Sequence, residues 1–279
     1  MVMERRNILA GEVHIIDTNG CEFGYEMIQC LPHAFYLHQK GIKVVVLTST
    51  NMENFYYFLP REQVYTKYKN REYNYPDGTE LNNIHYEVFD PKEWQGANYV
   101  DKFKDYDLDF IRFKGNLDKP LVMVSNKYTK EHLKPPVNFL PLPLLDALFS
   151  YLKEKYTVVY NRPRPTAVSQ DRDQEHFTYG DWLMIKEKHP EVIDLNELDT
   201  DVDYNTRQIV LASRCEKFIS VQGGTSIFSS MFGGENLIYA FNGEELKFNS
   251  YSWYNKFSGA NIEHFNDWNN LYSKVVEKW

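Results

Sequence analysis

The 279-residue chain has only three cysteines, Cys21, Cys30 and Cys215, an odd number without paired spacing. Such usage fits a reducing compartment and excludes a disulfide framework. No apolar run is long enough for a membrane span, and the opening MVMERRNILAGEV has no leader-like core, so a cytoplasmic protein with no transmembrane segment is expected. The eight histidines include no HExxH pair, so no metal and no other cofactor is expected. Neither a GxxxxGK(S/T) phosphate loop, a GxGxxG dinucleotide loop nor a GxSxG elbow occurs. Solenoid repeats, low-complexity tracts and heptads are missing too. Basic charge is in deficit, at a formal −8, which argues against a general nucleic-acid binder while leaving room for one local basic pocket.

What is present is a normal globular balance, 43% hydrophobic and 25% charged, in a chain long enough for two domains with cores of their own. Aromatic residues reach 16%, which suits either well-filled cores or surfaces that stack on sugar rings. Strand-like and helix-like runs alternate, the pattern of parallel α/β sheets. VHIID (13–17), a helix from Tyr25 to Gln39 and KVVVLTS (43–49) form one β-α-β unit, with Gly41 as the stop. Residues 50–85 have no clear period; IHYEVFD (84–90) reads as a strand and 99–111 as a weak helix. Beyond a turn-rich GNLDKP stretch the pattern restarts, with strands expected at 119–127, 156–162, 192–195, 217–221 and 235–241. Helices are expected at 142–155, 180–188, 204–215, 226–232 and 267–279. The fold class read from this is α/β: two doubly wound, Rossmann-like domains, 1–116 and 117–279, facing a cleft.

The sharpest motif is CEKFISVQGGTSIFSSMFGGENLIYAF (215–241). An apolar strand runs into Gln222, Gly223, Gly224, Thr225 and Ser226, and a helix follows at once. Two glycines permit close backbone approach, the helix start offers N–H groups, and Thr225 and Ser226 carry hydroxyls, a set suited to a diphosphate. An ordinary βα turn capped by Thr225 or Ser226 fits equally well. Lys127, in SNKYTKEH, and Arg162 and Arg164, in YNRPRP, also follow predicted strands and are candidates to converge on the same anion; surface solubility is the alternative for each.

This strand, Gly-Gly-Thr-Ser loop, short helix and following apolar strand resemble the donor domain of GT-B glycosyltransferases. The resemblance covers 119–279 well and the first half loosely. It implies a donor-binding domain at 117–279 and an acceptor-binding domain at 1–116, with the 222–226 loop facing the diphosphate of a nucleotide-sugar. The Glu-x7-Glu motif of many retaining members has no match after the loop, which favours inversion. The function implied is transfer of a sugar from a nucleoside diphosphate, leaning to uridine diphosphate, onto a glycan hydroxyl without a metal. A carboxylate near the first strand would then act as base on the acceptor: Glu22 first, with Glu26 and Asp17 behind it. Glu26 as a first-turn residue complementing the helix dipole, and Glu22 as a solvated loop charge, are the structural alternatives.

Other features read less sharply. Asp171, Asp173, Glu175 and His176 form an acidic run taken as a solvated loop. Cys21 is a candidate nucleophile or a small buried residue. NSYSWYNKFSG (249–259) suits a ligand wall or a packed loop. Rival functions are another nucleotide-sugar enzyme, such as an epimerase or pyruvyl transferase, a non-catalytic nucleotide- or glycan-binding protein, and a dehydrogenase, the last disfavoured by its missing fingerprint.

Overall fold

A computed structural model describes residues 13–69, 96–107, 118–129, 135–164, 179–198 and 200–279. Contacts divide the chain between Ala97 and Asn98 into two compact units. The expected boundary at 116/117, the expected strand at 84–90 and the acidic run 171–176 lie outside the described residues. Residues 98–106 join the second unit: α3 (Tyr99–Phe103) places Tyr99 against Phe232, and the Arg214 guanidinium donates to the carbonyls of Phe103 and Tyr106.

In the first unit β1 (Val13–Asp17), β2 (Lys43–Ser49) and β3 (Val64–Tyr68) form a parallel sheet in simple chain order. A continuous helical run joins β1 to β2, made of α1 (Phe23–Tyr25), a π turn (Glu26–Cys30) and α2 (Leu31–Gln39). The helix expected from Tyr25 to Gln39 is therefore present, with a local widening at its start that its sequence does not announce. Pro32 follows the π turn inside this continuous run, and its missing N–H leaves a carbonyl of that turn without the donor a regular helix would supply. Ile16, Val44 and Val46 are fully buried. The β2–β3 register slips by one residue: Thr48 pairs with Thr66, but Ser49 pairs with Tyr68.

The second unit has six parallel strands: β4 (Leu121–Ser125), β5 (Thr157–Asn161), β6 (Ile193–Asp194), β7 (Cys215–Val221), β8 (Glu235–Tyr239) and β9 (Asn261–Phe265). Their order is β6-β5-β4-β7-β8-β9. The chain builds outward from β4 to one edge, then returns to the other side of β4 and builds outward again, which is the doubly wound, Rossmann-like order. β4 and β5 are buried at every position because both sheet faces are covered, and this explains their unbroken apolar sequences. α4 (Leu142–Leu152) buries Leu144, Leu145, Leu148, Phe149 and Leu152, and α9 (Trp268–Lys278) adds Leu271 and Val275 to the same core. Side-chain caps start the flanking helices: Asp203 accepts from the Thr206 N–H of α6 (Tyr204–Ala212), and Asp267 accepts from two N–H groups of α9. α5 (Asp181–Lys188), α7 (Gly224–Ser229) and α8 (Glu244–Lys247) complete the unit.

Candidate functional site

Strand order reverses between β4 and β7, and ligands of doubly wound sheets bind outside the carboxyl ends of the strands at such a reversal. Two loops meet there. Asn126, fully buried, accepts the N–H groups of Lys127 and Leu140 at 2.9 Å each and donates to the Leu140 carbonyl at 3.1 Å. That closed set of bonds fixes the direction in which the chain leaves β4. Lys127 is thereby carried over the glycine loop after β7. Its Nζ lies 2.9 Å from the position a Cβ on residue 223 would take. Gly223 has φ +104° and ψ −154°, a conformation open essentially only to glycine. Lysine amine and glycine backbone thus meet at the switch point.

Gln222 and the loop after β8 complete that side. The Gln222 backbone N–H donates to the Tyr239 carbonyl at 2.9 Å, and its Nε2 donates to Glu245 Oε2 at 2.7 Å. Its side chain passes so close to Gly243 that a Cβ there would lie 1.4 Å from Nε2. The Gln222 Oε1 is buried and has no hydrogen-bond partner among the described residues. Asn138 clasps the same loop, accepting from the Phe241 N–H at 2.9 Å and donating to the Asn242 carbonyl at 2.7 Å. The hydroxyls expected to meet a ligand turn inward instead. Thr225 Oγ1 donates to the Val221 carbonyl at 2.6 Å, and the buried Ser226 donates to the Gly223 carbonyl at 2.8 Å. The Gly224 and Thr225 N–H groups precede the first bond of α7, which Ser226 N–H makes to Gly223.

Both arginines follow the end of β5, each on acidic partners. Arg162, 8% exposed, holds Asp181 through Nε at 2.5 Å and Nη2 at 2.7 Å. Burial opposes its charge, but the Asp181 bond keeps its pKa above the usual value. Tyr160 donates to the same carboxylate at 2.6 Å, and burial, then the Asp181 charge, pushes its phenol well up. Arg164 spans Asp194 at 3.3 Å and Glu197 at 2.6 Å. Burial raises the Asp194 carboxyl although Asn196 and Arg164 pull it down. Of the three expected basic residues, Lys127 is the one brought to the glycine loop. The 249–259 segment is packed: Tyr251, Tyr254 and Phe257 are buried.

In the first unit Glu26 is fully buried, with Oε1 accepting from Thr48 at 2.5 Å and Tyr56 at 2.8 Å. Glu22 is half-buried at the extended position before α1. Asp17 ends β1, its side chain 40% exposed, with Oδ1 accepting from the Asn19 N–H at 3.0 Å and the Tyr68 hydroxyl at 2.5 Å. Cys21 is buried, 3.9 Å from the Cys30 sulfur.

Asn126, Asn138, Gly243, Glu245 and Tyr68 escaped the sequence reading. Only Gly243 carried a signal, as the glycine of a turn directly after an apolar strand. Among the described residues no group of three or more His, Cys, Asp or Glu could hold a metal, and no helix is long and apolar enough to cross a membrane. No protein-family model, curated protein or solved structure matches the chain.

Proposed function

We propose that the second unit binds the diphosphate of a nucleotide-sugar at the β4/β7 reversal and that the protein is an inverting, metal-independent glycosyltransferase. On this reading the two units are the donor and acceptor domains of a GT-B-like enzyme. The observation that carries it is the Lys127 amine held over Gly223 at the topological switch point. An ammonium beside a glycine backbone is the chemistry a diphosphate needs both when bound and when it departs with developing negative charge. The reaction breaks the bond between the anomeric carbon and the diphosphate oxygen, whose electron pair leaves with the nucleotide. An acceptor hydroxyl forms the new bond and gives its proton to a carboxylate of the first unit. Glu22 and Asp17 are the open candidates for that base; Glu26 is enclosed by Thr48 and Tyr56.

A non-catalytic nucleotide-binding protein is the second reading. The carboxylates already on Arg162 and Arg164 favour it, because they leave less positive charge for a leaving group. A thermal-shift screen with UDP, GDP, CMP and their sugars, with and without EDTA, tests the ligand class. A rise with one nucleoside diphosphate that survives EDTA supports the transferase site, and product analysis with its sugar then separates transfer from binding alone. No rise with any of them removes the diphosphate site.

A further inference from the structure

The three cysteines divide by their surroundings. Cys21 and Cys30 lie in the first unit with their sulfurs 3.9 Å apart, whereas Cys215 is the second unit's one cysteine. Cys215 begins β7, and its sulfur donates to the Leu211 carbonyl at 3.3 Å. Burial pushes the Cys215 thiol well up, which withholds the thiolate that an oxidant attacks. A buried cysteine of that kind acts as a small apolar filler and has no use for a second sulfur. Two sulfurs set facing each other are more than filling requires.

Neither thiol of the facing pair stands on a strand or in a regular helix. Cys21 closes the turn after β1: its N–H donates to the Thr18 carbonyl at 3.0 Å, and Gly20 takes a φ of +80°. The Thr18 hydroxyl is buried with no hydrogen-bond partner among the described residues, so the turn is incompletely bonded. Cys30 ends the π turn, where the Leu31 N–H reaches back to the Glu26 carbonyl. Such turns carry an extra residue and recur at functional sites. A disulfide needs its sulfurs about 2.05 Å apart, so the two must close by about 2 Å. Loops and irregular turns open and shift at lower cost than core strands. The two cysteines also differ in access. Cys21 is 2% exposed and stands two residues from the exposed Asn19, whereas Cys30 is fully enclosed. Opening of the short loop therefore bares Cys21 first.

We infer, independently of the transferase reading above, that Cys21 and Cys30 form a redox modification site, held as two thiols and joined by peroxide into a reversible disulfide. The Cys21 thiolate attacks one oxygen of hydrogen peroxide and the O–O bond breaks. The departing hydroxide takes the proton of the Cys21 thiol and leaves as water, with a sulfenic acid on Cys21. The Cys30 sulfur then bonds the Cys21 sulfur, and the sulfenic hydroxyl leaves with the Cys30 proton as a second water. Two thiols and one peroxide thus give one disulfide and two waters. Thiol–disulfide exchange with an added dithiol restores the pair. The bond ties the loop that carries Glu22 to the helical run behind it.

The test treats the native full chain with hydrogen peroxide, alkylates it with N-ethylmaleimide in denaturant and maps the cysteines by peptide mass spectrometry. Peptides joined through Cys21 and Cys30 are expected, with both thiols recovered after dithiothreitol and Cys215 alkylated in every sample. In Cys30→Ala, Cys21 is expected to stop at the sulfenic acid, which dimedone traps. In Cys21→Ala, Cys30 is expected to be as unreactive as Cys215. Recovery of Cys21 and Cys30 as alkylated thiols, after peroxide that oxidises the unfolded chain, overturns the site. So does conversion of either cysteine to its sulfinic acid with no joined peptide. Because the mapping reads the wild-type chain, it decides the matter even where a variant fails to fold.

Discussion

The amine of Lys127 occupies the space into which a side chain on Gly223 would project, 2.9 Å from that missing Cβ. Lysine and glycine come from strands on either side of the order reversal, so the contact depends on the sheet topology. Lys127→Met is expected to weaken UDP binding by roughly tenfold to a hundredfold, the worth of a hydrogen bond to a charged group. Gly223→Ala is expected to do more. It displaces the amine and also forces a side chain into a φ of +104°, costing about 1–3 kcal/mol of stability. Calorimetric titration beside urea unfolding separates the two effects. Unchanged UDP affinity in Lys127→Met would move the anion site away from the reversal.

Gly243 gives the sterically sharpest prediction. A methyl there would overlap the Gln222 amide, whose Nε2 lies 1.4 Å from the Cβ position, and residue 243 has φ +153°. Gly243→Ala must therefore expel Gln222 from its bond to Glu245 or distort the loop after β8. A loss of about 1–3 kcal/mol in urea unfolding is expected, with Gln222→Ala alone costing less. In the double variant the two losses should fall short of additive, because both act on one contact. Strict additivity would show that glycine and glutamine act separately.

How much of this was legible in the sequence follows from burial. β4 and β5 are covered on both faces, so LVMVS and TVVYN are apolar or uncharged throughout and declare themselves as strands. β3 and β9 did not. VYTKY has one buried residue and a bulge, and NIEHF has none that is fully buried, so neither carries a period of two. The QGGTS loop stood out because glycines after an apolar strand are rare without reason. The fate of the arginines did not, because Asp181 and Asp194 lie 19 and 30 residues away and reach them only through the fold. For the same reason the Tyr68 hydroxyl on Asp17, 51 residues along the chain, was not legible.

Acid should loosen the second unit through Glu235. Hydrogen bonds from Lys278 and Lys217, opposed by partial burial and aided by Trp279, hold this carboxyl at about 2 against an ordinary 4.5. The folded pKa is the lower one, so the contribution is fully present above pH 4.5 and is lost as pH falls from 4.5 toward 2. The site is partly exposed to solvent, so salt should weaken the effect. His14, whose pKa burial lowers from 6.5, adds a separate loss in the first unit that begins as pH falls below that value. Urea midpoints of wild type and Glu235→Gln, compared across pH 4.5 to 2, should converge as pH falls. Parallel curves would assign the acid sensitivity to other groups.

Arg162 and Asp181 form a pair with both side chains withdrawn from solvent, 9% and 1% exposed. Removing one partner strands the other, so Asp181→Ala is expected to cost about 3–5 kcal/mol. Arg162→Met with Asp181→Leu removes both charges at similar volume and should recover most of that loss, although the Tyr160 hydroxyl then loses its acceptor as well. The double variant also decides what Arg162 does beyond holding β5 to α5. If the arginine only braces the fold, the variant should keep the wild-type rise in melting midpoint with saturating UDP. If the guanidinium touches the diphosphate as well, that rise should shrink even where the free protein has regained its stability, and Arg162 would then join Lys127 in the site.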